Sequence, residues 1–69
     1  MNEHLSKLLN LAEEHKGKHV EIIFKTGDSE IGILERTIFN NISIAVELAD
    51  ESGKSVLFDL SKIAIIQSK

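Results

Sequence analysis

The chain is expected to be mainly β with one N-terminal α-helix, folded as a small, five-stranded, strongly bent antiparallel barrel. Three observations point there. The apolar pattern is helical up to residue 16 and has a period of two from His19 onward. Five short apolar runs follow (HVEIIFK, EIGILERTIF, ISIAVELA, SVLFDL and IAIIQ), punctuated by the turns TGDS, NN, DESGK and SK. At 69 residues, a single domain buries only about 60% of the surface its unfolded chain exposes. The expected organisation is one domain over residues 1–69, with a helix over 2–16 and the barrel over 19–67.

Leu5, Leu8, Leu9 and Ala12 recur at helical spacing, with Leu11 and His15 widening the stripe. Asn2 suits an N-cap and Gly17 the residue just beyond the helix. Glu13 and Glu14 lie near the negative end of the helix dipole, so packing rather than propensity must hold the helix, laid over one open end of the barrel.

In the first strand Val20, Ile22 and Phe24 share one face, and the chain turns through Thr26-Gly27-Asp28-Ser29, where glycine supplies a positive φ. The second strand is long and apolar on both faces, with Ile31, Ile33 and Phe39 on one and Leu34 and Ile38 on the other. Such a change of face needs a bend, which Gly32 is expected to provide. The third strand predicts Ile42, Ile44, Val46 and Leu48 as core. In the fourth, Val56, Phe58 and Leu60 are expected to point inward. Ser61-Lys62 leaves room only for a 3₁₀-like turn before the last strand, where Ile63 and Ile65 are assigned to one face and Ala64 and Ile66 to the other.

This order of elements resembles the Sm-like (Sm/Hfq-type) family of small, SH3-like barrels. Gly32-Ile33-Leu34 is similar to the opening of that family's first motif, Phe39-Asn40 to its aromatic-aspartate pair, and Ile42 to Glu47 to the alternating strand that follows. The second motif, an arginine-glycine or lysine-histidine step, is replaced here by Asp59-Leu60-Ser61-Lys62, in which only Lys62 is basic. The resemblance implies a homo-oligomeric ring of six or seven copies that binds short single-stranded, uridine-rich RNA as a chaperone or scaffold. It implies Phe39, Asn40, Asn41, Ser61 and Lys62 as RNA-binding residues.

Four of these have a plainer reading. Asn40-Asn41 is also a turn pair, Phe39 is also a core residue, and Lys62 is also a solvated lysine. Net charge is −3, so no general basic field draws phosphates, and RNA would need a local patch. The other reading is therefore a small barrel that serves as a protein-interaction or assembly module without nucleic acid.

Apolar residues exceed one small core. Leu57, Phe58, Ile65 and Ile66 are assigned to a seam between strand four of one copy and strand five of the next. Enzymatic constellations, cofactor motifs and cysteines are absent from the sequence, so a non-enzyme without cofactors is expected. His15 and His19 straddle Gly17 and lack the shared helical face that a metal pair needs. No run approaches the roughly 20 apolar residues that span a bilayer, and no secretory signal pattern opens the chain, so a cytoplasmic location and no membrane partner are expected.

Overall fold

The computed structural model describes residues 3–69; the N-cap assigned to Asn2 lies outside them. Helix α1 (Glu3–Glu14) precedes strands β1 (His19–Phe24), β2 (Ser29–Phe39), β3 (Ile44–Ala49) and β4 (Ser55–Asp59). A 3₁₀ turn, Leu60–Lys62, then leads into β5 (Ile63–Ser68). All strand pairings are antiparallel. They form one sheet in the order β4-β3-β2-β1-β5.

The sheet is not closed into a barrel, because β4 and β5 stand at its two edges. It is nevertheless tightly curled. Phe24 on β1 and Phe58 on β4 meet with ring centroids 5.1 Å apart, whereas three strand spacings in a flat sheet would separate them by about 14 Å. Side chains thus bridge the gap that backbone hydrogen bonds leave open. The core inside the curl holds Val20, Ile22, Leu34, Val46, Leu48, Leu60, Ile63 and Ile66. Full burial of a side chain such as Ile22 or Leu34 stabilises the fold by roughly 1.5–3 kcal/mol.

The helical stripe lands where its spacing put it. Leu8 and Ala12 are buried, with Leu5, Leu9 and Leu11 half-buried beside them. Through this face α1 covers β2, β5 and the 3₁₀ turn. The His4 ring nitrogen Nε2 donates to the Ile63 carbonyl at 3.0 Å, tying the start of the helix to the start of β5. Gly17 has φ +81°, and its N–H donates to the Leu34 carbonyl at 2.7 Å. The helix exit is therefore fastened to β2.

Two bulges alter the faces read from simple alternation. In β2 the register with β3 shifts between Leu34 and Arg36, making Glu35 the extra residue. After it Thr37 opposes Val46 and Phe39 opposes Ile44, so Phe39 lies on the face of Leu34 rather than that of Ile31 and Ile33. In β5 the register with β1 shifts where Ile23 opposes Ile65 and Phe24 opposes Ile63. Ile63 and Ile66, three residues apart, are both buried as a result, which corrects the expected pairing of Ile63 with Ile65. An extra residue in one strand reverses the parity of everything beyond it.

Gly32 has a different task from the bulge that follows it. A methyl group built on its Cα would overlap the Ala49 carbonyl oxygen and press on the Leu48 side chain. The backbones of β2 and β3 approach too closely there for any Cβ. Gly32→Ala is expected to destabilise the protein by about 2 kcal/mol or more, since the obstacle is backbone that cannot swing aside. Urea unfolding checks this: the midpoint should fall with an unchanged slope.

Candidate nucleic-acid interface

Residues 40–43 leave the sheet because the Asn40 side chain takes over their hydrogen bonding. Its Oδ1 accepts from the backbone N–H groups of Ile42 at 2.9 Å and Ser43 at 2.7 Å. The Asn40 N–H in turn donates to the Ser43 carbonyl at 3.1 Å. Such a side chain mimics a backbone turn. No non-glycine residue among those described has a positive φ, so Asn40 makes this turn with its amide and not by a left-handed backbone.

This turn overturns the assignment of Ile42 to the core. Ile42 precedes β3 and is 96% exposed, because its N–H is held by Asn40 instead of a ladder partner. Phe39 is 59% exposed at the end of β2, so the plainer reading of it as core is also corrected. Asn41 and Lys62 are exposed. Of the two amides, Asn40 has committed its oxygen and keeps only its NH₂ donors, whereas Asn41 makes no hydrogen bond among the described residues.

The 3₁₀ turn between β4 and β5 is capped in the same manner. Asp59 Oδ1 accepts from the Ser61 N–H at 2.9 Å and from the Ser61 hydroxyl at 2.8 Å. Those two bonds, the backbone one first, hold the Asp59 carboxyl below the ordinary carboxylate range, with the Lys62 charge adding to them. At the β3–β4 turn Asp50 is lowered likewise, first by the Ser52 hydroxyl and then by the Lys54 N–H. Aspartates rather than basic residues build both turns.

The β2–β3 loop and the 3₁₀ turn do converge. Ile42, Ser43 and Ile44 from one side, Asp59, Leu60 and Ser61 from the other, and Leu5 of the helix enclose a hollow of about 270 Å³. On the far side of Ser61 lies a wider cleft of about 770 Å³, floored by Phe24 and Phe58. Its rim mixes Lys25 and Lys62 with Asp28 and Glu30. Lys62 lines this cleft and not the loop hollow, and its carbonyl accepts from the Lys25 N–H at 3.0 Å. Of the five residues assigned to RNA, Ser61 borders both spaces and Lys62 only the cleft. Phe39, Asn40 and Asn41 line neither.

Of the hollow's lining only Ser61 is among the residues assigned to RNA; Ile42 is assigned to the core by alternation, and Asp59 stands in the sequence where the family has its basic step, not as a binding residue. The signal for Ile42 was present in Asn40-Asn41-Ile42-Ser43, an Asx-turn pattern that competes with strand formation. Comparison with protein-family models and with curated proteins finds no match.

The carboxylate caps give stability a defined acid limb. A folded-state pKa below the ordinary 3.8 means that these bonds contribute fully above about pH 4 and are lost as pH falls through the lowered values. Asp50→Asn/Asp59→Asn retains an acceptor oxygen at each turn without the titration. Its thermal midpoint is expected to fall less than that of the parent between pH 5 and pH 2, measured by circular dichroism.

Proposed function

We propose that this chain is an Sm-like ring subunit that binds short single-stranded RNA as a chaperone or scaffold. The observation that carries this reading is the strand order β4-β3-β2-β1-β5, which leaves two free edges on one curled sheet. Each edge offers unpaired backbone groups beside exposed apolar side chains: Leu57 at 54% and Val56 at 41% on β4, and Ile65 at 41% on β5. Proteins seldom leave such edges bare.

Pairing β4 of one copy with β5 of the next is a heterologous contact, which must close into a ring or extend into a filament. Leu57 and Ile65 supply side chains to that seam. Phe58 is half-buried against Phe24, and Ile66 is only 2% exposed, so Ile66 contributes backbone alone. A ring would repeat the loop hollow once per subunit. Exposed Phe39 supplies a stacking surface, Asn41 a free amide and Lys62 a charge for phosphate.

A second reading, an assembly module without nucleic acid, is favoured by the charge around the site. Among the described residues no cation lines the loop hollow, and the lysines of the cleft stand beside Asp28 and Glu30. Oligonucleotide binding separates the two. Under the RNA reading, a labelled single strand binds at low salt, and affinity falls as salt rises. Asn41→Ala and Lys62→Ala each weaken it about threefold to tenfold, the scale of one modest polar contact. No binding at low salt would leave the assembly module.

The seam has its own check. Light scattering should give a mass of several subunits for the parent chain. Leu57→Lys should reduce it toward the monomer while the circular dichroism spectrum stays unchanged, since residue 57 points away from the core. A parent chain that is monomeric at micromolar concentration rules out the ring.

A further inference from the structure

The hydrogen-bonding character of the loop hollow is one-sided. On the loop wall the N–H groups of Ile42 and Ser43 are both taken by Asn40 Oδ1. Across the hollow the N–H and hydroxyl of Ser61 are both taken by Asp59 Oδ1, and the Ile63 N–H is taken by the Leu60 carbonyl. These backbone donors and the Ser61 hydroxyl proton are spent on holding the two turns in shape. What remains is mostly acceptor: Asp59 Oδ2, which has no hydrogen-bond partner among the described residues, and the lone pairs of the Ser61 hydroxyl, beside the Ser43 hydroxyl, which lies 3.5 Å from Asn40 Oδ1.

The rest of the lining is Leu5, Ile42, Ile44, Leu60 and Ser43. Among the described residues no cation lines the hollow, and a phosphate there would meet the Asp59 carboxylate. The space, about 270 Å³, is below the roughly 300 Å³ at which sites for drug-sized molecules begin, so it suits a single ring system. Ile42 and Leu60 offer apolar surface for the faces of a flat ring.

Among the four RNA bases, only guanine places two N–H donors side by side on its Watson–Crick edge, at N1 and N2. Uracil sets one donor between two carbonyl oxygens, and both oxygens would face the carboxylate. Adenine and cytosine pair one amino donor with a ring-nitrogen acceptor. An acceptor-only carboxylate is complementary to the guanine edge and opposed to the uracil edge. We propose that this hollow selects guanine over uracil within a bound single strand, with the one free carboxylate oxygen, Asp59 Oδ2, accepting from both the base N1–H and N2–H groups and Ile42 packing on the ring. This rests on the RNA reading above and departs from the uridine preference that the family resemblance implies.

The test is fluorescence anisotropy on the full chain with three labelled ribohexamers: UUGUUG, UUUUUU, and UUIUUI, in which inosine lacks the N2 amine. The guanine strand should bind about tenfold more tightly than the uridine strand, the low end of what one base-edge contact discriminates. The inosine strand should lose most of that gain. Asp59→Asn keeps an oxygen for the Ser61 cap and replaces the second oxygen with an NH₂ donor, so the guanine preference should vanish or reverse while the melting curve shows an intact fold. Equal binding of guanine and uridine strands by the parent chain overturns the proposal and leaves the RNA reading standing. So does a guanine preference that Asp59→Asn leaves unchanged. Failure of all three strands to bind removes both together, and binding of an arginine hexapeptide in their place assigns the Asp59 hollow to a basic protein partner.

Discussion

The close approach of β3 to β2 at Gly32 governs how this short chain makes a core at all. One sheet and one helix must enclose the apolar side chains, and a flat sheet would leave half of them in water. With no Cβ at residue 32, the Ala49 carbonyl lies against the β2 backbone and the sheet can curl. The Glu35 bulge continues that bend, and at its far end Phe58 reaches Phe24. Helix α1 then has a rounded surface to cover, and Leu8 and Ala12 seal it.

The turns between strands are stabilised by side chains folded back onto their own backbone. Asn40, Asp50 and Asp59 each accept from N–H groups two to four residues ahead. This rigidifies the loops at the rim and also removes their donors from use by anything else. The two aspartate turns present oxygen rather than N–H to their surroundings, and the Asn40 turn keeps its side-chain NH₂. The chemistry of the hollow between the β2–β3 loop and the 3₁₀ turn follows from how those two segments hold their shape.

The two connections that frame the candidate site were legible in the sequence, but of the residues assigned to them only Ser61 lines the hollow. Asn40, Asn41, Ser61 and Lys62 were correctly placed on two exposed connections, and the 3₁₀ geometry followed from the shortness of Ser61-Lys62. Alternation misled at Ile42, because a side-chain hydrogen bond from Asn40 outcompeted the strand ladder. It misled at Ile65 too, because a bulge reversed the faces of β5. Local competition of this kind leaves no trace in a hydrophobic period, which counts residues and not hydrogen bonds.

The sequence by itself determined the elements and most of the core. The change from helical to twofold periodicity, the glycines at positions 17 and 27, and the alternation through Val20, Ile22, Val46 and Leu48 are local properties of covalent geometry and side-chain burial. Only the tertiary structure decided which edges stay open, which space Lys62 borders, and that Asp59 meets Ile42 across a hollow. Those depend on bringing residues 42 and 59 together from separate strands by the curl of the sheet. Curl is the sum of bulges, a backbone contact at Gly32 and the packing of two phenylalanine rings, and no single stretch of the chain encodes it.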